Sequence, residues 1–328
     1  MESPMSEDKY KNHKERLSAK DIKRLNVRNP TYWLKDAAID WAVMSAAISL
    51  FIATQNPIVF ILSVLIVGNR QHALGLLGHD GTHYTLSYNR NLNDFITNLF
   101  AWWPIGLTMS GYRNLHNMHH KYVGTPNDPE VIYKQLKAEQ WHLPAKPKDV
   151  LKLAAKDLMG FGMTDYFTIL TYAKPTQKSA YIPLGLFHAT LILTSIATGF
   201  WEISAIWYSS MLTAFPMYFR LRLWLEHQGT DFVHRLHLNR IEGAVFAPHL
   251  AWYHWEHHAC PTVPYCKLKD VRDLLPKEPV ITLKELINSF MNSPSIHAGA
   301  VFSTSKTEPI EISEPANLED TIQRKEVA

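Results

Sequence analysis

Four long apolar blocks constrain the fold of this 328-residue chain more than any other feature. An α-helix of about 20 residues spans the hydrocarbon core of a bilayer, and each block is close to that length. Residues 54–57 join the first two blocks, and residues 201–202 join the last two, which predicts two helical hairpins. The sequence therefore predicts an all-α integral membrane protein with four transmembrane helices. The blocks are residues 37–53, 58–77, 181–200 and 203–225.

Basic residues flank only one end of the two predicted hairpins. Nine Lys and Arg residues precede the first block, and nine lysines lie between residues 121 and 178. The two hairpin tips carry none. Because basic loops tend to stay on the cytoplasmic side, the N-terminal segment, the middle connector and the C-terminal third are all expected there. The same reasoning predicts a multi-pass protein with a histidine-rich cytoplasmic cap.

Two shorter apolar segments and a polar tail complete the predicted organisation. Residues 95–109 contain Pro104, and residues 241–255 are rich in aromatic side chains, so both are expected to form interfacial or re-entrant helices. The last residues, from about 293, are polar and are expected to be disordered. The predicted units are a basic N-terminal segment (1–36), a membrane catalytic domain (37–290) and a polar C-terminal tail (291–328).

Neither the charge of the N-terminal segment nor the cysteine content is typical of a secreted, disulfide-bonded protein. The first thirty or so residues are highly charged and contain no apolar core, so no cleavable signal peptide is expected. The two cysteines, Cys260 and Cys266, cannot build a disulfide framework. They are expected to be small packing residues in a reducing setting.

Nine histidines are the candidate functional residues. Eight of them lie in three short runs, HDGTH, HNMHH and HWEHH, and the ninth stands alone in WLEHQ. Spacings of three or four residues place imidazoles on one face of a helix, about one turn apart. A dense array of neutral imidazoles predicts a site for transition-metal ions. The nine candidates are His79, His83, His116, His119, His120, His227, His254, His257 and His258.

Simpler interpretations fit this pattern less well. A single histidine on an apolar face is usually a packed, hydrogen-bonded residue, but three clusters at helical spacing are not explained in that way. Zinc takes about four ligands, usually with Cys or carboxylate among them, so nine histidines are too many for one zinc ion. Zinc proteases of the HExxH type have Glu after the first histidine, and here Asp80 follows His79. Two metal ions that share the nine histidines are the favoured interpretation.

With these runs in view, the chain resembles the membrane fatty acid desaturase and hydroxylase superfamily. The resemblance covers roughly residues 69–268 and depends on HDGTH, HNMHH and HWEHH in that order and at those intervals. The stretches YNRNLND, GTPNDPE and HHACPTVPYCKL also match. Three boxes in this arrangement are highly specific to the superfamily, but they do not specify one reaction within it.

The resemblance implies a chemistry and a set of partners. The eight clustered histidines and the solitary His227 are expected to bind two non-haem irons, with O₂ as co-substrate. Electrons are expected from a separate protein, a ferredoxin or a cytochrome b5, since the chain shows no haem or iron–sulfur ligand motif of its own. The expected activity is desaturation of a fatty acyl chain linked to a lipid, CoA or ACP. The expected location is a bacterial inner membrane, a thylakoid membrane or the endoplasmic reticulum, and no nucleic-acid partner is expected.

Two other functions stay open at this point. A hydroxylase or ketolase of the same superfamily, acting on a carotenoid, sphingoid or other long apolar or specialised molecule, would use the same ligands. A small acyl or amino-acid derivative is a further candidate substrate. A metal transporter is the alternative from another class, but transporters place their ligands within the spans, whereas these clusters lie at or beyond span ends.

The residues around the predicted site give two further expectations. In some acyl-CoA desaturases an Asn four residues before the solitary histidine holds a metal-bound water, and here Leu223 occupies that position, next to Arg222. A water or a substrate oxygen is therefore expected in place of a tenth ligand. Carboxylates are expected to orient the imidazoles through their second nitrogens. The candidates for this role are Asp80, Asp94, Asp128, Glu226 and Glu256.

Overall fold

A computed structural model describes residues 17–230, 232–275 and 279–293 of the chain, and these residues are mostly helical. The first sixteen residues of the predicted N-terminal segment and the predicted disordered tail from residue 294 lie outside the described residues. Two short parallel strands pair Leu236 with Ile281 and His237 with Thr282. The prediction of an all-helical chain therefore holds for the described part, apart from this one small ladder.

The first two apolar blocks form long antiparallel helices, α2 (Pro30–Thr54) and α3 (Pro57–Thr82). Asn56 caps α3 by accepting a hydrogen bond from the Ile58 N–H, and Pro57 occupies the first turn, where its missing N–H is not needed. Three side-chain contacts fix the register between the two helices. These are Trp33 Nε1 to the Leu77 carbonyl at 3.0 Å, Arg70 to Asp40 at 3.0 Å, and Ser63 Oγ to the Ala47 carbonyl at 2.8 Å.

Three helical segments in the described part of the chain are long and apolar enough to cross a membrane. Two of them are α2 and α3. The third, Lys178–Ala197, combines a short 3-10 turn with the helix Tyr181–Ala197. These three correspond to the first three predicted spans.

The fourth predicted span, residues 203–225, is not one continuous helix. It is divided between Trp201–Leu212 and Ala214–Glu226, and the backbone breaks at Thr213 (φ −126°, ψ −70°). Pro216 lies three residues after the break, where it offers no N–H to a continuing helix. The predicted count of four unbroken spans is therefore not confirmed, because each half is too short to cross a bilayer alone.

The remaining described helices are shorter than α2 and α3, and two of them, α4 (Arg90–Thr97) and α5 (Met109–Tyr122), pack against α3. Residues 95–109, predicted as one interfacial helix, contain the end of α4, a π turn (Asn98–Trp102) and a 3-10 turn (Trp103–Ile105). The helices are α1 (Ala19–Leu25), α4 (Arg90–Thr97), α5 (Met109–Tyr122), α6 (Pro129–Leu136), α7 (Pro147–Leu158), α8 (Met163–Tyr172), α9 (Tyr181–Ala197), α10 (Trp201–Leu212), α11 (Ala214–Glu226), α12 (Arg240–Phe246), α13 (His254–Ala259), α14 (Leu268–Leu274) and α15 (Leu283–Asn292).

Close helix packing positions the elements of the site. A Cβ added at Gly68 of α3 would lie 2.4 Å from the Ala214 Cβ of α11, and one added at Gly78 would lie 2.6 Å from the Trp102 ring. Only glycine allows these approaches, because any Cβ would overlap with its neighbour. Such contacts hold α3 against α11 and against the turn before α5, so that three histidine-bearing segments meet.

Candidate metal centre

All nine predicted histidines converge on one region of the molecule. His79 lies in the last turn of α3 and His83 directly after it, while α5 carries three histidines on one side. His227 follows α11, and α13 begins at His254 and carries the third cluster. The helical spacing predicted within each cluster is observed, although α13 is only six residues long. Tertiary packing thus brings together clusters that are far apart in the sequence.

The first histidine group consists of His79, His83, His116, His120 and His257. One nitrogen from each of His79, His116, His120 and His257 lies within 4.8 Å of the others. His83 joins them through its Nε2 atom, 2.9 Å from Nε2 of His116. Nε2 of His120 lies 2.9 Å from that of His116 and 3.1 Å from that of His257.

The second histidine group consists of His119, His227, His254 and His258. Their nitrogens also lie within 4.8 Å of one another. Nε2 of His254 is 3.0 Å from Nε2 of both His227 and His258. The two groups are in contact, since the rings of His120 and His258 stack with centroids 4.3 Å apart.

Hydrogen bonding alone does not account for these short contacts. A neutral imidazole nitrogen offers either one N–H or one lone pair, so the series His83, His116, His120 and His257 satisfies at most two of its three Nε2 contacts. The buried Nε2 of His79 has no partner among the described residues. A cation at the centre of each group would satisfy all of these lone pairs.

The distances also fit a metal ion. Two nitrogens bound to one ion at about 2.1 Å lie about 3.0 Å apart when they subtend a right angle, and about 3.4 Å apart in a tetrahedron. The observed Nε2 separations of 2.9–3.1 Å match the right-angled arrangement. Sites of higher coordination number than tetrahedral zinc have such angles. The donor set therefore suits two ions of a metal such as iron.

In three histidines of the second group, the Nδ1 atom contacts a neighbouring group that orients the imidazole. His119 Nδ1 lies 2.9 Å from an Asp128 carboxylate oxygen, and His227 Nδ1 donates to the Phe232 carbonyl at 2.7 Å. His254 Nδ1 lies 3.5 Å from Glu226 Oε1. A proton held on Nδ1 leaves the Nε2 lone pair free to point at an ion.

Burial keeps most of these imidazoles neutral, which is the form that binds metal. It lowers the pKa of His227 to about 3 and the pKa of His116 and His257 well below the usual range. His119 differs: burial lowers its pKa, but the charge and hydrogen bond of Asp128 outweigh burial and raise it overall. The carboxylate thus strengthens the basicity of one imidazole in the second group.

Only two of the five carboxylates predicted to orient histidines contact them. Asp128 and Glu226 do so. The other three candidates, Asp80, Asp94 and Glu256, bind other groups, and the spacing of Asp80 and Glu256 does not place them on one helix face with the adjacent histidines. Asp80 accepts from Thr85 and the Tyr265 N–H, Asp94 pairs with Arg113, and Glu256 pairs with Arg235 and Arg272.

The other histidines near the clusters stay outside the two groups. His249 binds Asp40 at 2.7 Å and approaches Asp36 at 3.4 Å. His234 contacts the Gln228 carbonyl at 2.7 Å, and His72 stacks on Tyr218. His237 is exposed on the first strand.

A cavity of about 110 Å³ borders both histidine groups. Its lining is mainly apolar, with Leu115, Ile169 and Phe219 among the walls, and five of the nine histidines reach it. Sequence reasoning did not assign Tyr112, Glu130 or Arg222 to a cavity wall. Tyr112 precedes His116 by one helical turn, so helical spacing could have placed Tyr112 beside the histidines. The sequence gives no such signal for Glu130 or Arg222. The cavity provides a largely apolar space beside the candidate metal ligands.

Comparison with known proteins agrees with this geometry. The profile of the fatty acid desaturase family matches residues 55–280, and the chain belongs to this family. It is therefore an enzyme of the desaturase class, and the matched region contains all nine histidines.

Two named relatives are desaturases. The chain is 25% identical over 275 residues to dihydrorhizobitoxine desaturase of Bradyrhizobium elkanii, and the match covers 77% of each protein. It is 26% identical over 130 residues to the delta 8-(E)-sphingolipid desaturase of Candida albicans, over 38% of this chain and 20% of that protein.

Proposed function

We propose that the protein is an O₂-dependent diiron desaturase that removes two hydrogens from neighbouring carbons of an aliphatic acyl substrate. The observation that carries this proposal is the pair of histidine groups, in which Nε2 atoms 2.9–3.1 Å apart face one another beside an apolar cavity. We propose all nine histidines as iron ligands. The names of both relatives, one a sphingolipid desaturase and the other acting on dihydrorhizobitoxine, support desaturation.

The irons would supply the redox chemistry that activates O₂ for attack on an unactivated C–H bond. The chain's own residues orient the iron ligands and keep water away from the reacting groups. Asp128 and the Phe232 carbonyl fix the proton of His119 and His227 on Nδ1, so that both Nε2 lone pairs point into the second group. Tyr112, which lines the cavity, packs on Trp102 with ring centroids 4.2 Å apart. The apolar walls exclude water from the reacting carbon.

The reaction balances with one external partner. Forming the double bond releases two electrons and two protons from the substrate, and reduction of O₂ to two waters takes four of each. The remaining two electrons come from a separate carrier, for which we propose a ferredoxin or a cytochrome b5. The other two protons come from solvent.

We further propose that the chain is a multi-pass membrane protein whose histidine groups face the cytoplasm. Three long apolar helical segments support the membrane location. The antiparallel pairing of α2 and α3 places His79 at the same end as the N-terminus of α2, where basic residues precede Pro30. The turn at residues 55–56 lies at the opposite end.

Expression in a host that supplies both electron carriers tests the proposed function. The purified chain is expected to hold about one iron per histidine group, two per chain, and the host's lipids and small metabolites to gain a new double bond. His258→Ala removes a fully buried member of the second group and is expected to lose iron and product together. His237→Ala, at an exposed histidine outside both groups, is expected to keep both.

Mass spectrometry distinguishes the outcomes. A new hydroxyl in place of the double bond would assign the chain to hydroxylation. Exchangeable zinc in place of iron, or full iron content without any oxidised product, would contradict the proposed function.

A further inference from the structure

Three buried arginines near the histidine groups differ in how much of their guanidinium group is used. Arg220 donates from all three nitrogens to three neighbouring side chains. Arg235 also uses all three, on Glu256 and two main-chain carbonyls. Arg222 donates only its Nε, to Glu226 at 2.7 Å. Among the described residues, nothing accepts a hydrogen bond from its two terminal nitrogens.

Arg222 lines two spaces beside the histidines, the active-site cavity and a smaller one of about 20 Å³. The residue is 6% exposed, and it lines the cavity of about 110 Å³ beside the histidines. A guanidinium carries five N–H donors, and its terminal nitrogens hold four of them. No described side chain or main-chain group accepts from these donors, so the position favours an acceptor within the cavity.

The other charged side chains that line this cavity already have partners. Glu130 pairs with Lys134 at 2.7 Å, and its other carboxylate oxygen lies 3.9 Å from Nε2 of His227. Glu226 is held by Arg222 itself. Arg222 is the only Lys or Arg among the described residues of the lining, and it is the one that keeps unused N–H donors.

We propose that Arg222 binds the free carboxylate of a short aliphatic substrate. This inference rests on the proposed function and names the substrate class of the same cavity. A terminal guanidinium pairs with a carboxylate through two parallel hydrogen bonds, which a neutral ester or thioester carbonyl does not reproduce.

The volume of the cavity favours a substrate with a short carbon chain. Pockets that enclose drug-sized molecules measure about 300–1,000 Å³. The cavity beside the histidines measures about 110 Å³. A smaller space of about 10 Å³ shares four lining residues with it, among them Phe219. A few carbons between the carboxylate and the oxidised position fit this volume better than a long acyl tail.

Equilibrium binding to the purified, iron-loaded full chain tests the proposal. The probes are hexanoate, methyl hexanoate and hexadecanoate, and dissociation constants come from calorimetric titration. Hexanoate is expected to bind at least about ten-fold more tightly than its methyl ester, as the loss of a charge-assisted hydrogen bond implies. Hexadecanoate is expected to bind no more tightly than hexanoate. Arg222→Gln is expected to abolish the preference for the carboxylate, and Arg222→Lys to keep part of it.

Arg220→Gln is the matched control, because Arg220 lies on the same helix and is equally buried but has no unused nitrogen. It is expected to lower the unfolding temperature and to leave the carboxylate preference unchanged. Equal binding of hexanoate and its ester by the unsubstituted chain would overturn the proposal without any variant. An unchanged preference in folded Arg222→Gln would overturn it as well.

Iron content and product analysis keep the two proposals separate. A chain that holds iron and yields an unsaturated product, but shows no carboxylate preference, refutes the role of Arg222 alone. A chain that prefers the carboxylate but binds no iron refutes the diiron desaturase and leaves the anion site standing.

Discussion

At the scale of single residues, two histidines of the second group have their Nδ1 atoms fixed by close polar contacts. His119 directs Nδ1 to Asp128 and His227 directs Nδ1 to the Phe232 carbonyl, so that Nε2 of each ring is left for an ion. Fixing the tautomer in advance removes part of the entropy cost of assembling several ligands around one metal. The orienting groups should therefore affect metal affinity although they do not touch the metal.

Asp128→Asn is expected to weaken iron binding by about 10–100-fold, the usual effect of removing a group that orients a ligand. The substitution removes the charge that faces His119, whereas Asn still caps the N-terminus of α6. Iron retained during titration with a chelator measures the change. Asp94→Asn is the control, because Asp94 pairs with Arg113 and contacts no histidine. Equal losses in the two variants would show that Asp128 has no special role.

His249 predicts a pH-dependent contribution to stability. Burial lowers its pKa, but hydrogen bonds to Asp36 and Asp40 outweigh burial and raise the pKa above its usual value of 6.5. A folded-state pKa above the unfolded one means that the stabilisation is fully present below about pH 6.5 and is lost as pH rises through the folded value.

The comparison of the unsubstituted chain with His249→Gln isolates this effect. The difference in unfolding free energy is expected to be about 1.5–3 kcal/mol at low pH, the range for a hydrogen bond to a charged group, and to shrink as pH rises. Thermal unfolding in detergent between pH 5.5 and 8.5 measures it. A difference that grows with pH would show that His249 is neutral in the folded protein.

The sequence predicted some residues of the site and not others, for physical reasons. The eight clustered histidines were identifiable because their spacing within each run follows the helical repeat, whereas the solitary His227 was matched through the family resemblance. Asp128 and Asp94 were indistinguishable in sequence, since their partners, His119 and Arg113, are set by how the helices pack. Arg222 is also set apart only by the tertiary structure, which buries it beside a cavity and leaves its terminal nitrogens without an acceptor among the described residues.

At the scale of helices, the fourth apolar block shows what hydropathy does not specify. Its length predicted one span, but Thr213 breaks it and Pro216 follows within the next turn. The break lets α11 begin against Gly68 of α3, where the added Cβ would lie 2.4 Å from Ala214. A continuous helix is predicted by composition, whereas a break is set by the packing of one helix on another.

The close packing of Gly111 predicts that the histidine-bearing helix α5 does not tolerate a larger residue at this position. An added Cβ would lie 2.0 Å from the Ala173 carbonyl oxygen, a main-chain atom that side-chain rotation does not move. Gly111→Ala is therefore expected to displace α5, to cost about 1–3 kcal/mol of stability and to reduce iron content. Gly185→Ala on α9 is the matched control, because nothing lies within 4 Å of its added Cβ.

Unfolding temperature and iron per chain report the two effects of these glycine variants. Gly185→Ala is expected to be neutral or slightly stabilising, since alanine favours helix over glycine by about 1 kcal/mol. If Gly111→Ala holds as much iron as the control, the backbone at Ala173 moves to make room for the added Cβ and α5 keeps its position.

At the scale of the whole molecule, bound ions would connect segments that are far apart in sequence. The first histidine group draws on α3, α5 and α13, and the second on α5, the residue after α11, and α13. The short helix α13 contributes to both groups and is too short to be stable alone. Much of the order of this region should therefore depend on metal.

Removal of metal is accordingly expected to lower the unfolding temperature of the full chain. An ion that binds only the folded state stabilises it by about 2.7 kcal/mol when its free concentration is 100 times its dissociation constant. Thermal unfolding with and without a chelator measures this term. His79→Ala and His258→Ala each disable one group, so each is expected to lose part of the chelator-sensitive stabilisation, and the double variant all of it. If the double variant responds to chelator like the unsubstituted chain, the metal lies elsewhere and the two groups are not its site.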